Sequence, residues 1–171
     1  MRILILTSLF FITLGATFSL AADDPKWEEL SALFGLNIES EKVKKVVQTY
    51  NLSKAAKGDS GSFAPKHRAY SLMFDGDKIS TIVLHFSPWP NGYGDPGWRP
   101  YAGDLPSRIK PSSRIKDLIT LFGESHTKQG HRWISDGLDI WVHFSDDGSI
   151  SALYVSQADS KKKIPAQQDA P

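Results

Sequence analysis

One pattern restricts the fold more than any other, because it occurs twice. In "SEKVKKVVQTYN" the apolar residues are Val43, Val46, Val47 and Tyr50, and in "SSRIKDLITLFG" they are Ile115, Leu118, Ile119 and Phe122. Both follow the i, i+3, i+4, i+7 spacing of a helix with one buried face. Each opens near a serine suited to cap the first turn and stops at a turn-former, Asn51 or Gly123. Downstream, "YSLMFDGDKISTIVLHF" runs alongside "LDIWVHFSDDGSISALYVS", each a strand, an Asp-Gly-centred turn and a second strand. Val43 to Ile115 is 72 residues and Ile79 to Ile150 is 71. A unit repeated at so constant an offset predicts an α+β fold. Two tandem copies of helix followed by a short antiparallel sheet are expected, with the helices on one sheet face.

The remaining segments arrange themselves around these copies. Residues 1–21 carry one cation, Arg2, an apolar run from Ile3 to Leu14 and the small-x-small pattern Ser19-Leu20-Ala21, which reads as a secretory signal peptide. Its run is short of the roughly 20 residues that span a bilayer, so the expected location is the periplasm or the exterior. Residues 22–86 form repeat one. It opens with a short helix in "DDPKWEELSALFG": Asp24 at the cap, Pro25 in the first turn, Trp27, Leu30 and Phe34 on one side, Gly35 as the stop. Lys54 to Lys66 is polar and reads as a loop. Residues 87–106, "SPWPNGYGDPGWRPYAGDLP", are a connector with five Pro and four Gly. Repeat two covers 107–156, where "RWISDG" adds a short strand and an Asp136-Gly137 turn. Residues 157–171 are polar, lack aromatics and are expected to be disordered.

Composition excludes several classes of function. The chain has 20 basic and 19 acidic residues, one of the basic ones being Arg2 in the leader. Such balance lacks the basic stripe of a nucleic-acid binder. It has no Cys, so thiol catalysis, Cys-ligated metals, a lipobox anchor and disulfide stapling are all excluded.

"LPSRIKPSSRIKDLITLFGESHTKQG" followed by "WISDGLDIWVHFSDDGSISALYV" resembles the small outer-membrane-assembly lipoproteins of the SmpA/OmlA type. Phe122-Gly123-Glu124-Ser125 stands where that family has Leu-Gly-x-Pro. Tandem copies of the unit are similar to the beta-lactamase inhibitory proteins, and that resemblance implies a concave sheet that grips a target enzyme. "YAGDLPSRIKPSSRI" resembles small bacterial proteins grouped with polymorphic-toxin immunity proteins. These resemblances cover roughly residues 39–156. They imply a non-catalytic protein binder, an inhibitor or immunity protein acting on a secreted or envelope enzyme. An envelope assembly factor and a small exported enzyme are the alternatives.

No catalytic set assembles from the sequence. "GDSGS" at 58–62 has the Gly-Asp-Ser-Gly of chymotrypsin-like proteases, but no His precedes Ser60 as that chemistry requires. His126, His131 and His143 lack a spacing that would converge them on a metal, and Asp75-Gly76-Asp77 and Asp146-Asp147-Gly148 lack the Glu of an EF-hand loop. No enzyme activity, cofactor or metal is expected. Partner-binding residues are expected in two places. Along "LDIWVHF" alternation sends Leu138, Ile140, Val142 and Phe144 toward the helix, and Asp139, Trp141 and His143 the other way, where Trp133, Tyr154 and His85 would join them. In the connector, Trp89, Tyr93, Trp98 and Arg99 are residue types enriched at binding hot spots, while Tyr101-x-Gly103-x-Leu105-Pro106 reads as structural.

Overall fold

The computed structural model describes residues 24–57, 60–87, 98–127 and 131–158. Helices α1 (Trp27–Ser31) and α2 (Glu41–Thr49) precede four strands: β1 (Ser53–Lys57), β2 (Ser60–Ala64), β3 (Tyr70–Asp75) and β4 (Lys78–His85). Helix α3 (Ile115–Phe122) precedes three more: β5 (His131–Ser135), β6 (Leu138–Phe144) and β7 (Ile150–Gln157). The chain is α+β, and its strands form a seven-stranded antiparallel sheet in the order β1-β2-β3-β4-β7-β6-β5.

Where two short sheets were expected, one continuous sheet forms, because β4 and β7 pair from Thr81↔Ser156 to His85↔Ala152. Their composition explains it. Ile82, Val83 and Leu84 are buried in succession on β4, as are Ala152 and Leu153 on β7. Strands with consecutive apolar residues are poorly suited to an edge, and pairing removes both edges at once.

The expected Lys54 to Lys66 loop is instead the β1–β2 hairpin, in register from Ser53↔Ala64 to Lys57↔Ser60. All five residues of β1 are exposed, so no hydrophobic alternation marks it. It is held by its ladder to β2, which Phe63 anchors against Phe74 with ring centroids 5.4 Å apart. Ser60 to Ser62 of "GDSGS" therefore lie in a strand.

Leu30, Val43, Val46 and Leu118 from the helices share one buried cluster with Leu72, Ile82, Ile140 and Leu153 from the strands. Ser40 caps α2 by accepting the Val43 N–H, as the sequence predicts. Helix α3 differs: its N-cap is Arg114, whose backbone N–H donates to Asp117 Oδ2 at 2.8 Å. Ser113 is buried instead and accepts from Lys110 N. The Asp-Gly turns are as expected, with Asp136 and Gly137 both at positive φ, the requirement of a two-residue hairpin turn. β7 reaches Gln157, and Ala158 N–H still donates to Gly137 O, so order extends slightly into the expected tail. Residues 1–21, Trp89, Tyr93 and the tail beyond 158 lie outside the described residues. Among those described, no helix is long and apolar enough to cross a membrane.

Candidate interaction surface

The strand registers define the face of the sheet opposite the buried cluster. Ile140 and Val142 are buried within that cluster, so Asp139, Trp141 and His143 project from the other side. Across the ladder Trp141 lies opposite Tyr154, and Tyr154 opposite Val83. His143 and His85 both lie opposite Ala152. The result is an aromatic patch with fixed geometry. Trp141 stacks on His143 at 6.1 Å and 21°, and His143 meets Tyr154 at 5.1 Å. Trp141 is 49% exposed, while Val83 and Ala152 between the larger groups are buried.

Arg132 borders the patch, opposite Trp141 on β5. Its Nε donates to Asp139 Oδ1 at 2.7 Å and its Nη2 to Asp139 Oδ2, a fork-to-carboxylate pair. The hydrogen bond to Asp139 raises the Arg132 pKa still further. Burial lowers the His85 pKa and raises that of Tyr154. Burial thus favours the uncharged form of both His85 and Tyr154, and the Arg132–Asp139 pair neutralises its own charge. Met73, 40% exposed, extends the same face toward β2. Sequence reasoning missed Met73, although it alternates with the buried Leu72 and Phe74 in "YSLMFD".

Trp133 does not belong to this surface, contrary to expectation. It sits opposite Ile140, fully buried, with its ring beside Phe122 and stacked on His131, and its Nε1 donates to Gly123 O at 2.9 Å. β5 pairs so that Arg132, not Trp133, shares the face of Trp141. One-residue register decides the face. His131 follows Trp133 to the buried side and meets Phe144 edge-on at 4.8 Å. His131 and His143 thus sit on opposite faces and do not converge on a metal.

Arg99 is engaged within the fold rather than offered to a partner. Asp24, expected as a helix cap, is buried and accepts both guanidinium nitrogens of Arg99, at 2.7 and 2.8 Å, and the Ala102 N–H at 2.9 Å. The N-cap of α1 is Lys26, two residues later. His67 Nε2 lies 3.4 Å from Arg99 Nη2 and 3.8 Å from Asp24 Oδ1. Burial and then the Arg99 charge lower the His67 pKa, against the opposing pull of Asp24. Tyr101 completes this anchor. Its hydroxyl donates to Pro25 O at 2.6 Å, and its ring meets Tyr70 and Phe86 edge-on. A side chain at Gly103 would collide with the Tyr101 ring and the Pro25 carbonyl. The Tyr101–Pro106 half of the connector is therefore a plug that binds residues 24 and 25 to the sheet. Trp98, partly exposed, leads into that plug.

Comparison of the chain with protein-family models, curated proteins and solved structures finds no match.

Proposed function

We propose that the chain is an exported, non-catalytic protein-binding module that acts by covering a site on a secreted or envelope enzyme, as an inhibitor or immunity protein does. It is built from two tandem helix-plus-strand repeats whose helices cover one sheet face, and the other face meets the partner. The repeat reading is supported by the strand order: β4-β3-β2 and β7-β6-β5 run outward in mirror order from the β4–β7 seam.

The observation that carries the functional reading is Trp141. It is a large apolar side chain held half exposed by neighbours on three sides, His143, Tyr154 and Arg132. Rigid aromatic side chains presented at the centre of a surface supply binding energy with little ordering cost. Met73 adds exposed apolar area farther across the sheet, and the Arg132–Asp139 pair supplies a polar rim.

The test is affinity capture from envelope extract with wild type, Trp98→Ala and Trp141→Ala. Loss of a stoichiometric partner with Trp141→Ala is expected. A partner retained equally by all three proteins overturns the assignment of this face.

A further inference from the structure

His67 sits where residues 24 and 25, the connector and the turn before β3 meet, and its hydrogen bonds suit only the neutral ring. The Ala69 N–H donates to its Nδ1 at 3.2 Å. A backbone amide can only donate, so Nδ1 is an acceptor and the neutral ring carries its hydrogen on Nε2. Nε2 lies 3.4 Å from Arg99 Nη2, itself a donor, and 3.8 Å from Asp24 Oδ1. Among the described residues the groups facing the ring are the Ala69 N–H, Arg99, Asp24 and the Tyr70 ring, 6.4 Å away. Lys66 and Arg68 flank it along the chain, both exposed.

A second proton would have to go on Nδ1. The bond from Ala69 would then be lost, and because Ala69 is fully buried this leaves a buried donor unpaired. The same bond closes a turn around Arg68, which holds a left-handed φ of 50° without being glycine. A residue in that region is held there by its surroundings, so losing the bond loosens the turn. The new charge would also lie beside the Arg99 guanidinium. Asp24 is the one attraction in the other direction, but its Oδ1 already accepts from Arg99 Nη2 at 2.8 Å. A cationic ring reaches that oxygen only in competition with Arg99. The fastening of the connector runs through these groups: the Arg99 N–H donates to His67 O at 3.4 Å and the Ala102 N–H to Asp24 Oδ2 at 2.9 Å. The strand pairings end at Tyr70↔Leu84 and His85↔Ala152, so the fastening lies beyond the ladder and can open without parting it.

We propose that Asp24, His67 and Arg99 form an acid-released latch: protonation of His67 frees residues 24–25 and 98–102 from the end of the sheet, while the seven strands stay paired. The latch is separate from the Trp141 face, and the inference stands or falls independently of the function proposed above.

The experiment measures amide hydrogen exchange of the full chain between pH 7 and 5, with each rate expressed as protection relative to the intrinsic rate at that pH. Ala69 and Ala102 are expected to stay less protected than the β4–β7 ladder throughout, because the latch opens without the sheet. Their protection should fall at least about threefold over this range. The ceiling is about thirtyfold, set by an open form that titrates at the ordinary value of 6.5. The fall should follow the titration of the His67 ring, read from its own imidazole resonances, and should vanish in His67→Gln. Ring titration and exchange are both read on the wild type, so the test does not depend on the variant folding. Three results overturn the proposal: protection unchanged between pH 7 and 5, protection equal to that of the ladder, which would make the opening global, or a fall that does not follow the His67 titration or persists in His67→Gln.

Discussion

Trp133 and Trp141 stand eight residues apart on neighbouring strands, and the hairpin between them sends them to opposite faces. Trp133 is fully buried, hydrogen-bonded and surrounded by rings, whereas Trp141 is 49% exposed with only its flanks supported. The same residue type holds the fold in one place and presents a surface in the other. The pair teaches that an aromatic count says little until register is known. A second pair makes the same point with charge. Asp24–Arg99 joins residues 75 apart with a nearly inaccessible carboxylate, and Asp139–Arg132 spans adjacent strands at the rim of the exposed patch.

These contrasts can be broken by substitution. Trp133→Ala should have the largest effect, about 3–5 kcal/mol of lost stability by urea unfolding, from its cavity and the orphaned Gly123 carbonyl. Asp24→Ala removes the partner of Arg99. Breaking a fully buried pair costs about 3–5 kcal/mol, but Arg99 keeps a third of its side chain in water, so about 2 kcal/mol is expected. Smaller still is a test of two buried tyrosines. Tyr101→Phe forfeits the bond to Pro25 O and should cost about 1–2 kcal/mol, while Tyr70→Phe should be near neutral, because the Tyr70 hydroxyl makes no hydrogen bond to any of the described residues. A Tyr70 variant as costly as its Tyr101 counterpart would refute this accounting.

pH sharpens the Asp24 site further. The folded-state pKa of His67 lies below its ordinary value of 6.5, so the unfolded chain binds the proton first. The stability linked to neutral His67 is complete above about pH 6.5 and is lost as pH falls toward the folded pKa. The groups that face the imidazole are Asp24, Arg99 and the Tyr70 ring. His67→Gln should flatten the decline in melting temperature between pH 7 and 5, and an unchanged slope would remove His67 from that role. Trp141→Ala should have the smallest effect on stability, within about 0.5 kcal/mol of wild type.

Much of this was legible in the sequence where periodicity is strong. The i, i+3, i+4, i+7 apolar pattern located α2 and α3, and the Asp-Gly turns located the hairpins, because both signals are local. Alternation along "LDIWVHF" placed Trp141 and His143 on their face. Trp133 was misplaced because "HRWIS" has apolar residues at adjacent positions, so its face depends on pairing with β6, which is a tertiary property. β1 was invisible because "SKAAK" buries nothing. The Asp24–Arg99 pair could not be read from two charges so far apart in the chain. Its local hint is that Arg99 lies between Trp98 and Pro100 in an otherwise sparsely charged connector.

The central claim is that the Trp141 face is a binding surface and Trp133 is core. Oxidative footprinting of both indoles, in the free chain and in its captured complex, tests it most directly. The account predicts Trp141 reactive when free and protected when bound, with Trp133 unreactive in both states; equal reactivity of Trp141 in the two states would contradict it.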